Sequence, residues 1–134
     1  MRVQTYLCFE GHCEEALEFY HSALGAEVTM LSRFKDSPDS GMVTAGTENK
    51  VMHACFRIGD TDVLASDGRC QGNPNFQGFS LSLTAKDDVD AQRLFDSLAK
   101  GGNVQMPLTK TFFSPSFGMV SDRFGVTWMI WLPR

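Results

Sequence analysis

Hydrophobic positions recur along this chain with two periods, and the period changes at matching places in two halves. Ala16, Phe19, Tyr20, Ala23 and Leu24 fall at the i, i+3, i+4, i+7, i+8 spacing that makes one apolar stripe on a helix. Glu14, Glu15 and Glu18 turn away from that stripe, and Gly25 supplies the left-handed residue that ends the helix. A second helix follows the same logic, with Asp87 or Asp88 as N-cap, a stripe of Ala91, Leu94, Phe95 and Leu98, and Gly101 as terminator. Beyond each helix the period drops to two, which predicts strands at residues 30–34, 51–58, 62–66, 104–108, 118–121 and 127–132. Ile58-Gly59-Asp60-Thr61 reads as a tight turn, so residues 51–58 and 62–66 form a hairpin. The polar stretch Lys35 to Lys50 reads as a long loop.

The halves echo one another at a shift of about 75 residues. Phe19-Tyr20-His21-Ser22 aligns with Leu94-Phe95-Asp96-Ser97, and Gly25 to Met30 aligns with Gly101 to Met106. Tyr6-Leu7-Cys8-Phe9 aligns with Ser80-Leu81-Ser82-Leu83. The chain therefore reads as an α+β domain spanning residues 1–134, with repeat units at about 1–67 and 78–134 and a linker at 68–77.

Composition narrows the partners. A length of 134 residues fits one core, and no apolar run approaches the roughly 20 residues that span a bilayer. The opening Met1-Arg2-Val3-Gln4-Thr5 lacks a signal-peptide pattern, so a cytoplasmic location is expected and no membrane partner. A formal charge of −4 with singly scattered Lys and Arg gives no footprint for nucleic acid. Cys8, Cys13, Cys55 and Cys70 contain no CxxC pair and read as reduced thiols.

The local words are more specific than the architecture. The opening Tyr6-Leu7-Cys8-Phe9-Glu10-Gly11-His12-Cys13-Glu14-Glu15-Ala16, then Met52-His53-Ala54, Ala65-Ser66-Asp67 and the closing run from Phe117 to Ile130 resemble the PhnB-like branch of the vicinal oxygen chelate superfamily. That superfamily includes glyoxalase I, bleomycin-binding proteins and extradiol dioxygenases. The resemblance implies two βαβββ repeats forming a curled, half-barrel mixed sheet with helices outside, a pocket on the concave side, and a homodimer. In metal-using relatives, His and Glu on the first and last strands of each unit hold the ion. Aligned through the repeat, those positions are Thr5, Ala65 or a neighbour, Phe79 and Met129. Phe and Ala have no lone pair for a metal, while Thr and a thioether are weak ligands, so no metal and no other cofactor is expected. A divalent ion held by an unusual ligand set is the alternative.

Strand parity places Thr5, Leu7, Phe9, Phe79, Leu81, Leu83, Met129 and Trp131 around the pocket, and Phe112, Phe113 and Phe117, on the segment before the last strand pair, are candidates for its lid. The same residues would equally fill a collapsed core. His53 falls on the face opposite Ala65, which favours a structural histidine unless the hairpin register slips. Asp67 shares Ala65's parity and reads as a rim acid or base, or simply a turn residue. His12 and His21 read as solvated or capping residues, and a Cys8, His12, Cys13 metal cluster lacks known ligand spacing. The leading expectation is a small-molecule-binding protein of unknown reaction without the family metal. Rival readings are a metal-dependent lyase or dioxygenase and a non-catalytic interaction module. Methyl transfer to a quinone precursor, a label carried by related sequences, is disfavoured because no strand-GxGxxG-helix is present for a methyl donor.

Overall fold

The structure, a computed structural model, describes residues 1–39 and 45–134. Part of the loop expected at Lys35 to Lys50, residues 40–44, lies outside the described residues. The chain divides into two compact units, Met1–Pro74 and Asn75–Arg134, and the boundary falls inside the stretch read as a linker.

The first unit runs β1 (Tyr6–Cys8), α1 (Cys13–Leu24), β2 (Glu27–Arg33), β3 (Val51–Ile58) and β4 (Thr61–Ser66). The second repeats the plan with β5 (Leu81–Thr84), α2 (Asp88–Ala99), β6 (Asn103–Thr109), β7 (Phe117–Ser121) and β8 (Thr127–Trp131). Each unit has one four-stranded mixed sheet, ordered β1-β4-β3-β2 and β5-β8-β7-β6, with a parallel pair at β1/β4 and β5/β8. These are two βαβββ modules, and Phe56 pairs with Val63 across the expected hairpin.

One helix per sheet decides where apolar side chains go. In the first unit Leu7, Phe9, Ala54, Phe56, Val63 and Ala65 are buried, as are Ala16, Leu17, Tyr20 and Ala23 of α1. Tyr20 stacks on Phe56 at 5.8 Å between ring centroids and tilts against Phe9 at 6.2 Å. Cys13 and Leu17 join the buried stripe, whereas Phe19 and Leu24 are only half-buried. In the second unit the four stripe residues of α2 are all buried, and Gly118, Val120, Trp128 and Ile130 lie beneath them. Gly118 is needed there because a Cβ would stand 2.9 Å from the Phe95 ring.

Both edge strands β2 and β6 are bulged at the same point. Val28 pairs with Phe56 but Met30 pairs with Cys55, and likewise Val104 pairs with Val120 but Met106 with Met119. Each bulge absorbs one residue, so Val28 and Met30 end on opposite faces although they are two apart in sequence.

Two buried aspartates fix the frame. Asp67 is 1% exposed, and its carboxylate accepts from the Cys13 amide at 2.7 Å and the Val51 amide at 2.6 Å. Residue His12, at the N-cap of α1, makes no side-chain cap bond, so Asp67 caps this helix from 54 residues away. Asp122 accepts from the amides of Phe124 and Val126 and from the Trp128 indole at 2.9 Å. The second helix has a local cap, Asp87, which accepts from the Asp90 amide at 2.7 Å. Replacing Asp67 with Ala leaves two buried amide donors unpaired. Chemical denaturation of D67A is expected to show a loss of about 3–5 kcal/mol, against within about 1 kcal/mol for D87G, where water and backbone replace an exposed cap.

Candidate functional site

With the helix side of each sheet occupied by core, the opposite face carries the alternate side chains of the strands. In the first unit this face carries Tyr6, Cys8, Met30, His53, Cys55 and Arg57. The register joins Met30, Cys55, Leu64 and Tyr6 in one cross-strand row. The second unit's row is Met106, Met119, Met129 and Ser82, and beside it run Phe117, Trp131 and Thr84.

These rows revise the parity expected from sequence. Leu7 and Phe9 are 0% exposed and lie against α1, not around a pocket. Leu81 and Leu83 pair with the buried Trp128 and Ile130, so they too face their helix. Thr5 shares the parity of Leu7, and its carbonyl accepts from the Leu64 amide at 2.9 Å. The physical reason is the burial term: covering a Leu or Phe contributes about 1.5–3 kcal/mol each, so the most apolar alternate positions turn to the helix. Cys8, of opposite parity to Leu7 and Phe9, is exposed. Met129, Trp131 and Phe117 remain on the face away from the helix, half-buried.

The register also corrects the alignment of the first strands. Phe9 and Ala85 donate equivalent bonds to Ser66 and Trp131, at 2.8 Å each, which matches Tyr6 with Ser82 and Leu64 with Met129. Phe79 therefore has no strand equivalence with Thr5; it lies before β5, 44% exposed, edge-on to Phe76 at 6.4 Å. The four facing positions are Tyr6, Leu64, Ser82 and Met129.

His53 and Tyr6 come together on the first unit's face. Tyr6 Oη lies 3.1 Å from His53 Nδ1, and the rings stack at 5.6 Å with 29° between their planes. Strand alternation placed His53 opposite Ala65 correctly; Ala65 itself faces the helix, so His53 stands on the open side. Asp67, by contrast, is no rim acid, because both its oxygens are engaged by buried amides. The pairing of Tyr6 with His53 had no local signal, being 47 residues apart.

Phe113 sits on a turn in an aromatic file, 5.2 Å from Phe112 and 5.1 Å from Phe117, each pair edge to face. That turn is anchored by Ser114, whose hydroxyl lies 2.7 and 2.8 Å from the Leu132 and Ser116 carbonyls and shares its one proton between them. His12 and His21 stay at the ends of α1, bonded to the carbonyls of Gly72 and Ala26 at 3.1 and 2.8 Å. Two hollows of about 310 and 420 Å³ flank α1; the first includes Glu14, Glu15 and Lys50, the second Leu17, Val28 and Leu31. Neither lies on the face away from the helix. Among the described residues, no three His, Cys, Asp or Glu side chains gather as a metal-ligand group.

The family described as 3-demethylubiquinone-9 3-methyltransferase matches residues 1–131. The chain belongs to this PhnB-like family. It is 34% identical to protein YjdN of Escherichia coli strain K12, over 97% of this chain and 94% of that protein. It is similar to the crystal structure of protein PA1353 from Pseudomonas aeruginosa, with 40% identity, a TM-score of 0.86 and coverage of 99% and 98% of the two chains. The PhnB protein from Bacillus cereus is 31% identical at a TM-score of 0.82, over 98% and 99%. A glyoxylase/bleomycin resistance protein/dioxygenase domain from Frankia sp. EAN1pec shares the fold at 17% identity and a TM-score of 0.65, over 99% and 95%.

All four cysteines are free thiols, but their environments differ. Burial, with the neighbouring Asp67 carboxylate, pushes the Cys13 thiol far above its ordinary range, so it stays protonated and unreactive. Iodoacetamide footprinting of the native protein is expected to label Cys8 first and leave Cys13 unmodified until unfolding; early labelling of Cys13 would contradict its burial under the Asp67 cap.

Proposed function

We propose that this protein binds a small, flat, largely apolar molecule on the sheet faces turned away from the helices, without the divalent metal used by relatives of this fold. The observation that carries the reading is the chemistry of the four facing positions. Tyr6 and Leu64 in the first unit offer a phenol and an alkyl group, and Ser82 and Met129 in the second a hydroxyl and a thioether, none of which is a strong ligand for a divalent ion. The set differs from that expected by sequence at two of four places, Tyr6 for Thr5 and Ser82 for Phe79, with Leu64 the neighbour of Ala65, yet it fits a metal no better. Met106, Met119, Met129, Trp131, Phe117 and Phe113 supply instead an adaptable apolar surface.

The family description names a methyl transfer to a quinone precursor. The chain has no glycine-rich strand-to-helix turn to hold a methyl donor's nucleoside, so a quinone-like shape is a better guide to the ligand than methyl transfer is to the reaction. Pairing into a homodimer fits sheets that end in edge strands, β1 and β2 in one unit and β5 and β6 in the other. Four free thiols fit a reducing cytoplasm.

Native mass spectrometry of protein taken directly from cells tests these points together. The expected spectrum shows a dimer, a copurified organic mass of a few hundred daltons at most, no stoichiometric metal, and no saturable complex with added S-adenosylmethionine. Stoichiometric Zn, Ni, Mn or Fe that disappears on replacing His53 would overturn the metal-free reading.

A further inference from the structure

We propose that the groove between α1 and β2 is a second ligand site, one that takes an organic ammonium ion with an apolar tail. It lies on the helix side of the first unit, so it does not rest on the metal-free reading of the opposite faces.

The bulge in β2 builds the floor. Val28 pairs with Phe56 and Leu31 with Ala54, and both partners are buried on the helix side. Residues three apart face opposite ways in a regular strand, and the residue skipped after Val28 brings both to the same side. The helix does not cover this edge. Val28 is 46% exposed, whereas Leu17 and Ala26, which share the groove, are buried. The result is a hollow of about 420 Å³ with an apolar floor of Leu17, Ala26, Val28 and Leu31, a size that suits a small molecule.

The polar rim comes from α1 and attracts a donor. Glu14, Glu18, His21 and Ser22 follow one another at i, i+4, i+7 and i+8, a stripe beside the buried one. His21 Nδ1 lies 2.8 Å from the Ala26 carbonyl, which can only accept, so Nδ1 carries the proton and the neutral ring keeps its lone pair on Nε2. Glu14 is already bound by Arg33, 2.6 Å away, which holds its carboxyl below the ordinary range. Glu18, one turn further on, has no ion-pair partner among the described residues.

The surrounding charges leave this carboxylate in surplus. Glu14 and Glu18 also border the adjoining hollow, where they meet Glu15, Asp67 and Lys50. Arg33, Lys50 and a protonated His12, 3.7 Å from Glu15, offset three of these four carboxylates. One negative charge remains, beside an apolar floor. An ammonium ion brings three donors, no acceptor and the opposite charge, while its tail covers Val28. An anion with the same tail meets only repulsion at this rim.

The test is binding of n-hexylammonium, n-hexanol and n-hexanoate, three heads on one tail, to the intact protein at pH 8. Methyl NMR signals of Leu17, Val28 and Leu31 report occupancy. Hexylammonium is expected to shift all three saturably at one ligand per chain, with a Kd of about 1 mM or tighter. Each methylene added between butyl and hexyl should tighten it about fourfold. Hexanol should bind about fivefold more weakly, and hexanoate more weakly still. Glu18→Gln should bring hexylammonium to the affinity of hexanol and leave hexanol unchanged. Val28→Lys should remove the shifts at Leu17 and Leu31 for every ligand. Both substitutions lie on the surface, so thermal midpoints should stay within a few degrees of the parent. Hexanoate binding as tightly as hexylammonium, an affinity indifferent to Glu18→Gln, or shifts that survive Val28→Lys would each overturn the site. Groove signals that answer to protein concentration and not to hexylammonium would overturn it too, by seating a second copy of the chain there.

Discussion

Each four-stranded sheet has a single helix to cover it, and that constraint governs most of the structure. A helix hides one face, so every strand must assign its alternate residues either to the helix or away from it. Leu7, Phe9, Ala54, Phe56 and Ala65 go to α1, and Tyr6, His53 and Cys55 are left on the other side. Asp67 locks this assignment in the first unit. Its carboxylate joins the first turn of α1 to the start of β3, so the helix cannot slide along the sheet without stranding two buried amides. The charge is tolerated because its partners are N–H groups and the positive end of a helix.

The bulges extend the same economy to the edges. Thr29 and Gln105 are skipped in the pairing of β2 and β6, which turns Met30 and Met106 away from the helices at equivalent positions. Three methionines of the second unit then meet in one row, a soft, polarizable surface.

Much of this was legible in the sequence, and the failures have identifiable causes. The two helices, their terminating glycines, the hairpin at Gly59-Asp60 and the repeat all rest on local periods, and all appear in the structure. The α2 stripe was read residue for residue. Parity in β1 and β5 was misassigned because a short strand of alternating residues does not say which face its helix will cover. Leu7 and Phe9 resemble pocket and core equally until the helix is placed. A bulge leaves no mark when the skipped residue is an ordinary Thr or Gln. The long-range contacts, Asp67 with Cys13 and Tyr6 with His53, depend on chain segments 54 and 47 residues apart, beyond any local pattern.

The fold joins this chain to proteins of the glyoxalase and dioxygenase type, but function lies in the side chains that a face presents. Here the facing positions of the first and last strands hold Tyr6, Leu64, Ser82 and Met129. The most direct test of the proposed metal-free reading is a titration of [methyl-13C]methionine-labelled protein with Mn²⁺, whose unpaired electrons broaden nearby methyl signals. Met129 should keep its signal at one equivalent of the ion, no more affected than the exposed Met1. Selective loss of Met129 and Met119 at that ratio would place a metal on this face and contradict the account.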